Sequence, residues 1–110
     1  MAWNNGDTLE LDLVDEVSHV VGSSKQTGNW KQFWLKHSGR KFPKKCQIHN
    51  CGGDAEMGAH VYVKKKQQNF ILPTCYTCNN DPEQKYGVGW VSVKANAVVV
   101  RIEPHPNTFE

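Results

Sequence analysis

The sequence has no long apolar segment. Its longest uninterrupted aliphatic run covers residues 97–100, whereas a helix that crosses a bilayer needs about 20 apolar residues. Residues 1–7 show neither the basic start nor the apolar stretch of a signal peptide. We find no internal repeat and no low-complexity tract. We therefore expect an intracellular protein, cytoplasmic or nuclear, with no membrane partner.

Basic residues are missing from the first 24 positions, which carry five carboxylates: Asp7, Glu10, Asp12, Asp15 and Glu16. Residues 25–66 reverse this balance, with ten Lys or Arg residues against two acidic ones. The net charge of +2 therefore hides an acidic opening and a basic middle. The basic middle favours contact with polyanions. Pairing of its lysines with the acidic opening is the alternative.

The length of 110 residues allows one small domain, and the mean hydropathy of −0.62 is low for a globular protein. We interpret the chain as a single α+β domain with β-hairpins and short helices. Four stretches follow one another: an acidic N-terminal segment (1–28), a Trp-rich helix and basic linker (29–45), a cysteine-containing core (46–86), and a C-terminal hairpin and tail (87–110).

Helical spacing places Trp30, Phe33, Trp34 and His37 on one face of a short helix, with Gly39 where a C-terminal cap belongs. Such aromatic residues favour the core face of the helix, because a small domain needs large buried side chains. Stacking of Trp30 and Trp34 on nucleic-acid bases is the alternative.

Alternating apolar residues predict the strands. Two runs, 59–63 and 69–72, are expected to form a hairpin around a polar turn, and runs 90–93 and 98–102 a closing hairpin. The segment 9–21 fits either a strand or a helix. A further short helix is expected from Asp81 to Lys85.

The four cysteines form two close pairs, Cys46 with Cys51 and Cys75 with Cys78, separated by 23 residues. Two short-spaced pairs a hairpin apart are typical of a structural tetrathiolate zinc site, since thiolates suit the borderline-soft Zn²⁺ ion. Three alternatives remain open. They are two disulfides, a redox pair at Cys75 and Cys78, and replacement of one cysteine ligand by His49 or His60.

The residues between and after the cysteine pairs carry a further pattern. Gly58-Ala59-His60-Val61 is followed by a second run that begins at Asn69 and ends in Cys75-Tyr76-Thr77-Cys78-Asn79. This pattern resembles the zinc-stapled HNH endonucleases, the ββα-metal group built on a treble clef. The resemblance covers residues 46–80, about a third of the chain.

The resemblance implies a role for each matching residue. His60 would be the general base that activates a water molecule. Asn69 would hold the loop that positions His60, and Asn79 would occupy the third motif position. A Mg²⁺ or Mn²⁺ ion, distinct from the structural zinc, would bind the phosphate. The chain departs from the family at Ala59, because members commonly have Asp or His there as a ligand of the catalytic metal.

We therefore expect a zinc-binding HNH-like module that binds DNA, RNA or another macromolecule without catalysis. An active metal-dependent endonuclease or nickase is one alternative, and a protein-interaction module is another. The residues expected to contact nucleic-acid phosphates are basic: Arg40, Lys41, Lys44, Lys45, Lys64, Lys65 and Lys66.

Overall fold

Six short strands and one helix make up the part of the chain that the structure, a computed structural model, describes: residues 7–19, 30–76, 78 and 90–102. The elements are β1 (Thr8–Leu11), β2 (Glu16–His19), α1 (Trp30–Ser38), β3 (Met57–Val63), β4 (Gln68–Thr74), β5 (Val91–Ser92) and β6 (Ala97–Arg101). All strand pairs are antiparallel, in the order β1-β6-β4-β3-β2-β5. The short helix expected from Asp81 lies outside the described residues.

The connection between β1 and β2 requires the sheet to curl. Asp15 N donates to Asp12 O at 2.9 Å, and Asp12 N donates to Asp15 Oδ2 at 2.7 Å, which closes a tight turn. The ends of such a turn lie within about 7 Å of each other. In the sheet, however, β1 and β2 are four positions apart, which is about 19 Å when a sheet is flat. The sheet must therefore bend toward a barrel.

Two apolar clusters cover the two faces of this sheet. Inside the curl lie alternate residues of β3 and β4, among them Ala59, Val61 and Phe70, together with the four cysteines. On the outer face, α1 packs over Ile71 and Val100 through Trp34, which is 2% exposed. Both faces of the central strands are thus buried.

The predicted hairpin is confirmed. Strands β3 and β4 pair along their whole length, from Met57 with Thr74 to Val63 with Gln68, around a turn at 64–67. The expected helix is also present as α1, and Gly39 follows it with a φ of 66°. The segment that fitted strand or helix forms β1 and β2 in its described part.

The predicted C-terminal hairpin is wrong. Strands β5 and β6 are joined by a short turn but do not pair with each other. Instead β5 pairs with β2, whereas β6 lies between β1 and β4. Alternation identified both strands but carries no information about their partners. In the strand order, β5 lies at one end and β6 lies next to the other end. Because the sheet is curled, the two ends approach each other, and the short turn after Val93 can join β5 to β6.

At Gly58, α1 lies directly against the sheet. A Cβ at this position would lie 2.7 Å from Ile71 Cγ2 and 2.9 Å from the Trp30 carbonyl carbon, a backbone atom that cannot rotate away. We expect Gly58→Ala to lower the free energy of unfolding by about 1–3 kcal/mol, measured by urea denaturation. Gly52→Ala is the matched control, because a Cβ there meets nothing within 4 Å. Equal stability of the two variants would contradict the packing described.

Candidate metal centre

The first cysteine pair lies on a loop held by backbone hydrogen bonds. Cys46 N donates to Gly53 O at 2.9 Å, and Cys51 N donates to Ile48 O at 3.1 Å. Between the two cysteines, Ile48 forms a bridge with Val93. The loop therefore lies against the segment that continues β5, and its two thiols are fixed relative to the sheet.

The second cysteine pair follows directly on β4. Glu56 N donates to Thr74 O at 2.9 Å, so β3 and β4 stay paired up to the residue before Cys75. Gln47 N donates to Pro73 O at 3.0 Å, which connects the end of β4 to the first cysteine loop. The hairpin thus brings both cysteine pairs to one end of the sheet.

The four thiols converge on a single point. All four cysteines are free and buried, and their Sγ atoms lie within 4.8 Å of one another. Cys51 Sγ is 3.8 Å from both Cys75 Sγ and Cys78 Sγ. A tetrahedral ion with Zn–S bonds of about 2.3 Å requires S–S edges of about 3.8 Å. The donor set and its dimensions could therefore hold a metal ion such as zinc.

Backbone N–H groups point at the sulfur atoms. Gly53 N donates to Cys51 Sγ and Cys78 N donates to Cys75 Sγ, both at 3.4 Å. A hydrogen bond with the Cys78 side chain, helped by backbone groups, lowers the pKa of Cys46 to about 5, whereas burial raises the pKa of Cys75. At least one sulfur is thus prepared to bind a metal as a thiolate.

Two residues near the cysteines were not singled out from the sequence. Lys94 Nζ donates to Cys51 O at 2.9 Å and brings a positive charge to the backbone of the first cysteine loop. Gly53 leaves room for them, because a Cβ there would lie 3.2 Å from Cys75 Cβ. The Gly52-Gly53 pair directly after Cys51 was the available signal for a tight loop. Nothing in the sequence near Lys94 indicates its contact across 43 residues.

The alternatives for the cysteines fit this geometry less well. The Sγ distances of 3.8 Å are those of unbonded thiols, about twice the length of a disulfide bond. All four cysteines join one group, so a redox role for Cys75 and Cys78 alone would leave the other two without a reason for their position. Neither His49 nor His60 belongs to the group.

His60 and Asn69 do lie together, but the His60 side chain is buried and that of Asn69 is half-buried. The His60 Nε2 and Asn69 Oδ1 atoms are 3.0 Å apart, because the two residues are diagonal neighbours on one face of the β3–β4 hairpin. His60 is only 1% exposed, and the Trp30 ring of α1 lies 6.1 Å from it, centroid to centroid. Ala59 points to the opposite, inner face. The third motif residue, Asn79, lies outside the described residues.

The basic residues expected to contact phosphates fall into three groups, one of which is Lys66 alone, half-buried in the β3–β4 turn and with an interaction partner of its own. Three of them form ion pairs: Lys45 with Asp54, Lys64 with Glu16, and Lys65 with Asp15. Within the described parts of the chain, the side chains of Arg40, Lys41 and Lys44 form no ion pair and no hydrogen bond. The acidic opening therefore does neutralise part of the basic middle, namely its hairpin turn, but leaves the linker after α1 charged.

Comparison of the chain with protein-family models, with curated proteins and with solved structures finds no match. Helix α1 has nine residues, and no helix in the described part of the chain has the length and hydropathy of a membrane span.

Proposed function

We propose that the chain is a zinc-stabilised, HNH-like module that binds nucleic acid without cleaving it. The metal part of the proposal is supported by the buried four-cysteine group. A site with four protein ligands and no open position favours a structural ion over a catalytic one. Zinc is the metal that this thiolate set fits best, and the hairpin between the cysteine pairs is consistent with a treble clef.

The observation that carries nucleic-acid binding is the charge of three linker residues after α1 that pair with no carboxylate in the described part of the chain. Arg40, Lys41 and Lys44 are close in sequence, and each lies in the part of the chain between α1 and the first cysteine. Because no carboxylate of the described residues pairs with them, these cations stay available for phosphate groups. The ion-paired Lys45, by contrast, already has one in Asp54.

The absence of catalysis is supported by the surroundings of His60. A general base must reach the water molecule it activates, whereas this side chain is covered by Trp30 and hydrogen-bonded to Asn69. The described residues hold no second group of three or more His, Cys, Asp or Glu side chains arranged for a metal. The ligand that HNH enzymes commonly have at position 59 is replaced by alanine.

The test is binding of labelled DNA and RNA oligonucleotides to the zinc-loaded chain, followed by fluorescence anisotropy from about 50 to about 200 mM salt. We expect affinity to fall as salt rises. The double variant Lys41→Gln/Lys44→Gln should bind more weakly. Its plot of log affinity against log salt concentration should be shallower by about 1.4–1.8, the change expected for the loss of two phosphate contacts.

The matched control is Lys45→Gln/Lys64→Gln, which removes the same charge from two lysines held in exposed ion pairs. Because exposed pairs contribute little to stability, this variant should fold normally and bind nearly as the unmodified chain does. A flat salt response, or the same loss in both double variants, would refute the linker as the binding surface.

An active endonuclease is the second candidate, favoured by the contact between His60 and Asn69, the pair that the resemblance names. Incubation of the zinc-loaded chain with plasmid and Mg²⁺ or Mn²⁺ separates the two. We expect intact plasmid. Cleavage that disappears in His60→Ala would establish the enzyme and overturn the binding-only proposal.

A further inference from the structure

A cleft opens on the outer face of the sheet, beside the basic linker. Its volume is about 240 Å³. Its walls come from four parts of the chain that are distant in sequence, namely α1 with the linker, the first cysteine loop, the end of β4 and the start of β6. The lining residues are Trp34, Arg40, Lys41, Pro43, Gln47, Pro73, Asn96 and Val98.

The lining combines three kinds of chemistry. Arg40 and Lys41 supply two cations that no described carboxylate neutralises. The half-buried ring of Pro43 supplies apolar surface, whereas the Pro73 side chain is fully buried. Asn96 supplies an amide whose side chain forms no hydrogen bond with any described residue, so that both its donor and its acceptor are available.

The amide of Gln47 adds an acceptor. Its Nε2 donates to Lys45 O at 2.6 Å, which holds the side chain in place and leaves its oxygen free to accept. A ligand that uses the whole cleft must therefore carry a negative charge, a flat or apolar part, and hydrogen-bonding edges. A nucleotide has all three, as phosphate, base face and base edge.

The size of the cleft indicates one nucleotide of a longer strand. Pockets that enclose a whole small molecule have volumes of roughly 300–1,000 Å³, and this cleft is smaller. Along the sequence, two further exposed cations flank its own pair, namely Lys36 in α1 and Lys44 in the linker. Neighbouring phosphates of a strand would thus find partners outside the cleft.

We propose that this cleft holds one unpaired base and its phosphate from a bound single strand, which makes the module selective for single-stranded over duplex nucleic acid. The proposal builds on the nucleic-acid binding proposed above. Arg40 and Lys41 bind the phosphate, the Pro43 ring contacts the base face, and the amides of Asn96 and Gln47 bind the base edge. Base edges are open to such contacts in unpaired strands.

The decisive variant is Asn96→Gly. Asn96 has a φ of 65°, a conformation that glycine adopts readily, so the substitution removes the amide without straining the turn. The matched control is Asn50→Gly, since Asn50 is exposed, has a φ of 66° and does not line the cleft. Both variants and the unmodified zinc-loaded chain are titrated with a labelled single-stranded oligonucleotide and with its duplex.

We expect the unmodified chain to bind the single strand more tightly than the duplex. Asn96→Gly should weaken single-strand binding by roughly threefold to tenfold, the effect of about one hydrogen bond, and leave duplex binding unchanged. Arg40→Gln should lower the single-strand salt slope by about 0.7. Asn50→Gly should match the unmodified chain.

The outcomes separate this proposal from the one it builds on. If the unmodified chain binds neither oligonucleotide, nucleic-acid binding itself fails. If it binds both but Asn96→Gly and Asn50→Gly behave alike, the cleft proposal is wrong while nucleic-acid binding stands. Displacement of the single strand by poly-glutamate as effectively as by unlabelled oligonucleotide would assign the cleft to acidic peptides and overturn the proposal.

Discussion

Removal of the metal with a chelator is expected to unfold the chain. Structural zinc sites of this type contribute about 10–16 kcal/mol of binding free energy at neutral pH, whereas the whole stability of a small domain is about 5–15 kcal/mol. The first cysteine loop, the end of β4 and the segment after β5 meet around the four thiols. We therefore expect loss of the β-sheet circular dichroism signal on chelation and its return when Zn²⁺ is added back.

Substitution of one ligand should have the same effect. Cys51 contacts both thiols of the second pair, so Cys51→Ser should leave a chain that Zn²⁺ no longer restores. The neighbouring Gly52→Ala variant is the control and should respond to chelator and metal as the unmodified chain does. A chelated protein that keeps its cooperative unfolding transition would contradict the metal centre.

The same experiment decides between metal and disulfides. A chain held by a metal should stay folded in a reducing agent and unfold in a chelator. Two disulfides predict the opposite response, because reduction would break them and chelation would not. Elemental analysis of natively purified protein then identifies the metal, with zinc expected.

The sequence predicted the cysteine group and the hairpin between its two halves because both are local patterns. Spacing within each cysteine pair limits how the chain can turn, and alternation along β3 and β4 indicates two strands joined by a polar turn. Each pattern involves residues that are neighbours in the chain. The partner of a strand cannot be predicted in this way. The alternating sequences of β5 and β6 would be the same if the two strands paired with each other. In the structure, β5 pairs with β2, and β6 pairs with β1 and β4.

The charge pattern could be recognised because it is a local property of the sequence. It was incomplete because a local pattern does not show which charges meet in the fold. An acidic opening and a basic middle are visible in the sequence, but which lysines are neutralised depends on the tight turn after β1. That turn places Asp15 and Glu16 beside the β3–β4 turn, where they pair with Lys65 and Lys64 across about 50 residues of sequence. In the linker after α1, Arg40, Lys41 and Lys44 pair with no carboxylate of the described residues, whereas Lys45 pairs locally with Asp54. The contacts made in the fold, and not the charge pattern of the sequence, separate paired cations from available ones.

Trp34→Ala is expected to lower the free energy of unfolding by about 3–5 kcal/mol, the cost of removing a large buried aromatic side chain. The Trp34 ring fills the space between α1 and the outer face of the sheet and is 2% exposed. Its Nε1 also donates to Val98 O at 3.0 Å, so the substitution leaves that carbonyl without this donor. Trp34→Phe keeps most of the ring and should lose about 1 kcal/mol, the contribution of the hydrogen bond.

Trp90→Ala is the matched control, since the same substitution is made at a tryptophan that is 42% exposed. We expect it to cost under about 1 kcal/mol, as surface substitutions do. Urea denaturation of the zinc-loaded variants measures all three. The comparison also decides between the two roles that the sequence allowed for Trp34. If Trp34 stacks on bases, Trp34→Ala should lower the affinity for nucleic acid and leave the free energy of unfolding unchanged. If Trp34 packs beneath α1, as the structure has it, Trp34→Ala should lower the free energy of unfolding.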